Sequence, residues 1–148
     1  MNPWKRPVSI LAVIHSQDLQ VLLLERAAHP GYWQSVTGSQ EEGELLIDTA
    51  VREVFEETGI SATKNEFKDW QLSTRFEIFS EWRQRYEPGV SHNVEHVFSL
   101  QVSAQTRVTL APREHLAYVW LPWHSAAEKC FSPSNRDAIL SLPKRIAR

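Results

Sequence analysis

The sequence predicts an α+β protein, and three observations carry that prediction. Short runs rich in Val, Ile and Leu recur from residue 7 to residue 121, with the spacing and composition of strands. One stretch, residues 45–58, changes to helical periodicity and ends on a glycine. A second helix start, Pro133-Ser134-Asn135, stands near the end of the chain. With 148 residues there is material for one domain with a real core, so residues 1–148 are expected to form a single domain.

Residues 7–15 and 20–24 are expected to pair as two strands across a turn at Ser16, Gln17 and Asp18. Lys5 and Arg6 stand ahead of the first run, as in a signal peptide. The run is short and β-branched, and another strand-like run follows at once, which favours a strand and a cytoplasmic protein. Residues 27–31 form a loop, and residues 33–37 lead as a strand into a loop flanked by Gly38 and Gly43.

In the helix that follows, Ile47, Ala50, Val51, Val54 and Phe55 make an apolar stripe, and Gly59 supplies a C-terminal cap. Residues 67–79 and 92–102 read as longer strands on either side of a Pro-Gly turn. Residues 108–110 suggest a short strand and 111–114 a loop. Residues 115–122 could bury either alternate set of side chains. A last helix is expected over residues 136–142, closed by Pro143.

Apolar content of 42% and charged content of 23% are those of an ordinary globular chain, with no membrane partner implied. A net charge of -2 gives no general attraction to nucleic acid. Cys130 is the only cysteine, which excludes an intrachain disulfide and a Cys-based zinc site and leaves a small packed side chain. His92 and His96 face one side of their strand but lie about 13 Å apart by rise, so they are expected to be exposed residues and not ligands.

The charge pattern of the first helix is its main anomaly. Glu53 and Glu57 lie one turn apart with Glu56 beside them, all off the apolar stripe. Like charges at these spacings cost about 0.2–0.5 kcal/mol per pair. A hard divalent cation such as Mg²⁺ or Mn²⁺ would offset that cost, and Mg²⁺ shares itself readily with substrate phosphates. Three glutamates alone are more often a solvated face. Here they follow a strand and a glycine-hinged loop, which together make a cation and phosphate cradle.

The ordered set Gly38, Glu44, Arg52, Glu53, Glu56, Glu57 and Gly59, with aliphatic Val54 and Ile60, has chance odds on the order of one in ten million. It resembles the Nudix box, the signature of hydrolases that act on a diphosphate linked to another group. The resemblance implies a mixed β-sheet sandwiched between α-helices, divalent-metal dependence and water attack on phosphorus. It makes Glu53 and Glu57 the main metal ligands, Glu56 an auxiliary one, and Arg52 the residue that orients the carboxylates.

Beyond the box, KRPVSILAVI, YWQSVTGSQEEGE, RFEIFSEWRQRYEPGV, EHLAYVWL and SNRDAI resemble one Nudix subgroup, the bacterial dihydroneopterin triphosphate pyrophosphatases of folate biosynthesis. That similarity implies a small-molecule triphosphate substrate, cleaved to the monophosphate and pyrophosphate. It implies Glu114 as a further metal ligand, and Glu57 or Glu114 as the general base. Lys5, Arg26, Thr37 and Ser132 are implied as substrate contacts, and Phe76, Glu77, Ile78 and Phe79 as lining of the pterin site. Trp82 and Tyr86 could extend an aromatic wall for a flat ring, with Glu77 accepting from its N–H donors. Two rivals are a housecleaning nucleoside triphosphate pyrophosphohydrolase and a non-catalytic ligand-binding domain.

Overall fold

The computed structural model describes residues 3–146 and places a seven-stranded mixed sheet between helices on both faces. The strands are β1 (Val8–His15), β2 (Gln20–Arg26), β3 (Trp33–Gln34), β4 (Val36–Ser39), β5 (Phe67–Glu77), β6 (His92–Gln101) and β7 (His115–Pro122). Strand β1 is central: it pairs parallel with β6 along its whole length, from Val8↔Val94 to His15↔Gln101, and antiparallel with β4. The expected β1–β2 hairpin is present, but the two strands separate after His15↔Val21, and β2 turns instead to β7.

Alternation along β1 sends Ile10, Ala12 and Ile14 to one face and Leu11 and Val13 to the other, all essentially buried. Helix α1 (Leu46–Thr58) covers the first face through Ala50 and Val54. Helices α2 (Trp123–Lys129) and α3 (Pro133–Ile146) cover the second through Ala126, Ala127, Ala138, Ile139 and Leu142. Each fully buried Leu or Ile contributes about 1.5–3 kcal/mol, so both layers are needed to hold the sheet.

Helix α1 ends as expected on Gly59, in the left-handed region with φ of 74°. Its faces differ from expectation. Phe55 is 56% exposed, whereas Glu57 is 3% exposed and Thr49 and Thr58 are wholly buried. The acidic face of the helix is therefore turned partly into the protein. Residues 108–110 are not a strand and lie instead against the end of α1. Thr109 donates its N–H to the Thr58 carbonyl at 2.7 Å, and Val108 and Leu110 pack on the core beside α1.

Strand β5 stops at Glu77, so Ile78 and Phe79, expected within it, lie beyond it, and a 3-10 turn (Ser80–Arg85) follows ahead of the Pro-Gly turn. A bulge between Asp69 and Ser73, with Gln71 at φ of 52°, inserts two residues into β5 and leaves its face assignment unchanged. Helix α3 begins at Pro133 and runs through Pro143, which was expected to end it. Proline there forfeits one backbone bond. Buried Leu142, Ile146 packed beside it, and Arg145 stacked 4.9 Å over Trp70 hold the last turn in place. His92 and His96 are half-buried, not exposed. Cys130 is half-buried as well, and burial pushes its thiol up to about 12, which keeps it unreactive.

One side chain bridges the break in the 33–37 segment, which had been expected to form one strand. Between β3 and β4, buried Ser35 donates its N–H to Asn135 Oδ1 at 2.8 Å and accepts from Asn135 Nδ2 at its Oγ at 3.0 Å. The carboxamide of α3 thus stands in for a strand neighbour and fixes the start of α3 against the sheet. Asn135→Ala leaves that N–H buried and unpaired, and it is expected to lower stability by about 1–3 kcal/mol. Urea unfolding should show a lower midpoint at unchanged slope; an unchanged midpoint would contradict this account.

Candidate active site

A cleft of about 1100 Å³ opens where the ends of β1, β4 and β6 meet the start of α3 and the loop before β7. Its inner end is acidic and is organised by Arg52. Glu44 grips that guanidinium with both oxygens, Oε2 from Nε at 2.8 Å and Oε1 from Nη2 at 3.0 Å. Glu44 Oε1 also accepts from Thr49 Oγ1 and from the Glu41 N–H. The bond from Arg52 holds the Glu44 carboxyl down to about 2, and Glu44 in turn raises Arg52. The remaining guanidinium donors reach Glu53 at 3.1 Å, Glu56 at 3.3 Å and the Ser39 carbonyl at 3.1 Å. Arg52 therefore touches both strand and helix.

Gly38 lets these parts approach. A Cβ there would lie 2.1 Å from the Glu53 carboxyl, so only glycine leaves room for that side chain over β4. Beside it, Glu57 Oε1 is buried without a hydrogen-bond partner and lies 3.7 Å from His115 Nε2. Burial pushes Glu57 well above the ordinary carboxylate range, and Glu53 and then Glu114 add to the shift. Glu53 is raised by burial too, against the pull of Arg52. His115 is held down to about 4 by burial and by the nearby charge of Arg26, so it is a neutral neighbour.

The opposite wall is basic. Burial lowers Lys5, and Arg85 and Arg26 lower it further; Arg26 is lowered by burial and then by Arg85. Arg26 donates to Gln34 Oε1 at 3.1 Å, stacks 4.7 Å over Trp82, and keeps its Nε buried and unpartnered. Crowded carboxylates and crowded cations thus face one cleft. Each group disfavours its own charge, and each would be relieved by a ligand of the opposite sign.

Of the residues singled out in the sequence, Arg52, Glu53, Glu57, Glu114, Lys5, Arg26, Thr37, Phe76, Glu77, Ile78, Phe79 and Ser132 all line this cleft. Glu56 does not: its side chain is half exposed and held by Arg52. Glu77 reaches only the rim, where it is exposed and ion-paired with Arg83. It is the last residue of β5, on the opposite face from Phe76. Thr37 spends its hydroxyl proton on the Ile10 carbonyl at 2.9 Å. Ile78 is buried, while Phe79 stacks on Trp82 at 5.0 Å and meets Phe131 edge-on at 6.1 Å.

Sequence reasoning missed Glu44 as the partner of Arg52, the cation Arg85, and the aromatic Phe131. It also missed buried Asn93 and Glu95. A carboxylate two residues from an asparagine inside a strand was the available signal.

Among the described residues no three His, Cys, Asp or Glu side chains converge as a ready-made cation site. The donor set nevertheless fits a hard divalent ion. Its oxygens are all carboxylate, one of them buried and unpaired, and their mutual repulsion needs a positive charge to offset it.

Comparison with known proteins agrees with this geometry. A family model described as the NUDIX domain matches residues 5–142. The dihydroneopterin triphosphate diphosphatase of Escherichia coli K12 is 48% identical over 139 residues, covering 92% of this chain and 91% of that protein. The Haemophilus influenzae protein of the same name is 37% identical over 142 residues, covering 94% and 89%. A solved structure of the E. coli dihydroneopterin triphosphate pyrophosphohydrolase superposes with a TM-score of 0.89 at 45% identity, over 97% of this chain and 99% of that one. The Caenorhabditis elegans Ap4A hydrolase, at 18% identity and a TM-score of 0.73, shares the fold. With a family model matched over residues 5–142, and with Gly38, Arg52, Glu53 and Glu57 at one cleft, the chain belongs to the Nudix family.

Proposed function

We propose that residues 1–148 act as a single domain that hydrolyses dihydroneopterin triphosphate to dihydroneopterin monophosphate and pyrophosphate, with Mg²⁺ as the divalent ion. The observation that carries this is the facing of an acidic and a basic cluster across one cleft whose outer part is aromatic. A triphosphate with its cation satisfies both clusters, and a flat ring fits between Phe76, Phe79, Trp82 and Phe131.

Glu53 and Glu57 are the residues that would hold the cation, with Glu114 reaching in from the loop before β7 and Glu56 at the edge. A divalent ion there supplies charge neutralisation for phosphate oxygens and lowers the pKa of water. Arg52 keeps Glu53 against β4 so that the carboxylates stay aimed at the cleft. Lys5, Arg26 and Arg85 neutralise the negative charge that grows on the departing pyrophosphate. Water adds to phosphorus as the anhydride bond to the leaving pyrophosphate breaks. Glu57 and Glu114 are the carboxylates placed to accept the proton that the water releases. The aromatic wall keeps bulk water from the ring side of the cleft.

Glu57→Gln should lower turnover of dihydroneopterin triphosphate by about 10²- to 10³-fold or more without loss of fold, as removal of one electrostatic group commonly does. Near wild-type kcat in a folded variant would remove Glu57 from this role. The wild-type enzyme should release pyrophosphate stoichiometrically with monophosphate, as followed by ³¹P NMR, whereas release of orthophosphate alone would place the cut at the wrong bond.

The raised carboxyl of Glu57 also sets a pH dependence in chelator-treated protein. Its folded-state pKa lies above the ordinary value of 4.5, so the folded chain keeps a proton that the unfolded chain has released. Stability from this group is complete below 4.5 and is lost as pH rises through the raised value. Glu53 and Glu95 shift in the same sense. The Tm of the metal-free protein should therefore fall as pH rises above the ordinary carboxylate range, less steeply in Glu57→Gln. Addition of Mg²⁺ at pH 8 should raise the wild-type Tm. Equal slopes in both proteins would show that Glu57 is not the strained group.

A further inference from the structure

The cleft contains a second carboxylate site, on the other face of the sheet from α1. Strand β6 points Asn93, Glu95 and Val97 toward α3, and cross-strand register sets Phe76 beside Asn93 and Thr74 beside Glu95. Ser9 of β1 lies on the same floor, level with Glu95. The start of α3, at Ser132 and Ser134, closes over it.

Glu95 is 6% exposed and its Oε1 accepts from Ser134 Oγ at 2.9 Å. Ser134 is its one hydrogen-bond donor among the described residues, and no cation pairs with it there. Asn93 is 3% exposed; its Nδ2 donates to Ser9 Oγ at 2.7 Å, and its Oδ1 is buried without a partner. Both groups line the cleft. An ionisable carboxyl with a single bond is a costly way to fill a sheet interior that Val97 fills one step along the same face. The site is therefore rich in acceptors and short of donors.

The proposed substrate brings the missing donors. A 2-amino-4-oxo ring carries an N–H and an adjacent amino group on one edge, the geometry that a carboxylate accepts as a pair. Phe76, Phe79 and Phe131 offer apolar surface to the ring while that edge points inward. We propose that Glu95, held by Ser134 and flanked by Asn93, is the specificity-determining residue that reads the amino-imide edge of the substrate ring. This rests on the pterin reading above for its ligand, but it concerns ring selection and is separable from the phosphate chemistry. It also moves ring recognition from Glu77, on the far face of β5, to the strand beside it.

Metal-free protein and fluorescence titration test this without turnover. The probes are neopterin and its lumazine counterpart, in which oxygen replaces the 2-amino group. Wild-type protein should bind neopterin about tenfold or more tightly than the counterpart, because the extra oxygen faces a carboxylate and a donor is lost. Glu95→Gln should bring the two affinities within about twofold of one another. A preference that survives in folded Glu95→Gln overturns the proposal, as does equal or undetectable binding of the two probes by the wild type. Circular dichroism monitors folding. Where Glu95→Gln does not fold, Ser134→Ala serves, since it keeps the carboxylate but frees it to move. A reduced preference supports the assignment and an undiminished one overturns it. Selective neopterin binding with no pyrophosphate release from dihydroneopterin triphosphate would refute the hydrolase reading alone. Release of pyrophosphate with no loss of ring preference in Glu95→Gln would refute this assignment alone.

Discussion

The fork between Arg52 and Glu44 is the interaction on which the site depends. One guanidinium holds the Glu44 carboxylate of the loop, the Ser39 carbonyl at the end of β4, and Glu53 and Glu56 one and four residues along its own helix. Five donors in a rigid plane can do this, and the three rotating donors of a lysine cannot. Through that one group the glycine loop, the sheet edge and the helix become a single rigid unit. Without it, Glu53 would lose the partner that offsets its repulsion from Glu57, one turn along the same helix.

That arrangement accepts local strain in exchange for affinity for a charged ligand. Carboxylates crowd one another at one end, where Glu57 is buried and Glu53 half-buried, and across the cleft half-buried Arg26 is crowded by the exposed cations Lys5 and Arg85. Neither cluster neutralises the other fully, since each keeps an unpartnered buried atom, Glu57 Oε1 and Arg26 Nε. Exposed groups relieve such tension through water, but these two buried atoms cannot. The two sandwich layers of the fold, built from ordinary aliphatic side chains, hold these groups in place.

Much of this was legible in the chain. The helix with its glycine cap, the strands at the start of the chain and the long strands 67–77 and 92–101 depend on local periodicity, and the structure agrees with them, whereas 108–110 is no strand and 33–37 is broken at Ser35. What failed depended on distant neighbours. Phe55 fits the apolar stripe by angle, yet the helix is rotated so that Glu57 and Thr58 face inward. Pro143 ends a helix in isolation, but Leu142 and Arg145 pack against other elements and carry it on. Glu77 and Glu95 look equivalent as glutamates in strands, and only cross-strand register decides which faces the cleft. Arg85 and Phe131 sit in segments without periodic signal, where no local pattern could single them out.

Arg26 belongs to both halves of the cleft. Its guanidinium stands among the cations of the basic wall, and it also lies 4.7 Å over the Trp82 ring in the aromatic wall. A ligand fragment that fills either half restricts the same side chain, so the fragment that follows meets a partner already ordered. The affinities of a ring and of a phosphate tail therefore do not simply add, and their linkage is reciprocal. For inhibitor design, two weak fragments joined across Arg26 gain more than the sum of their separate binding energies.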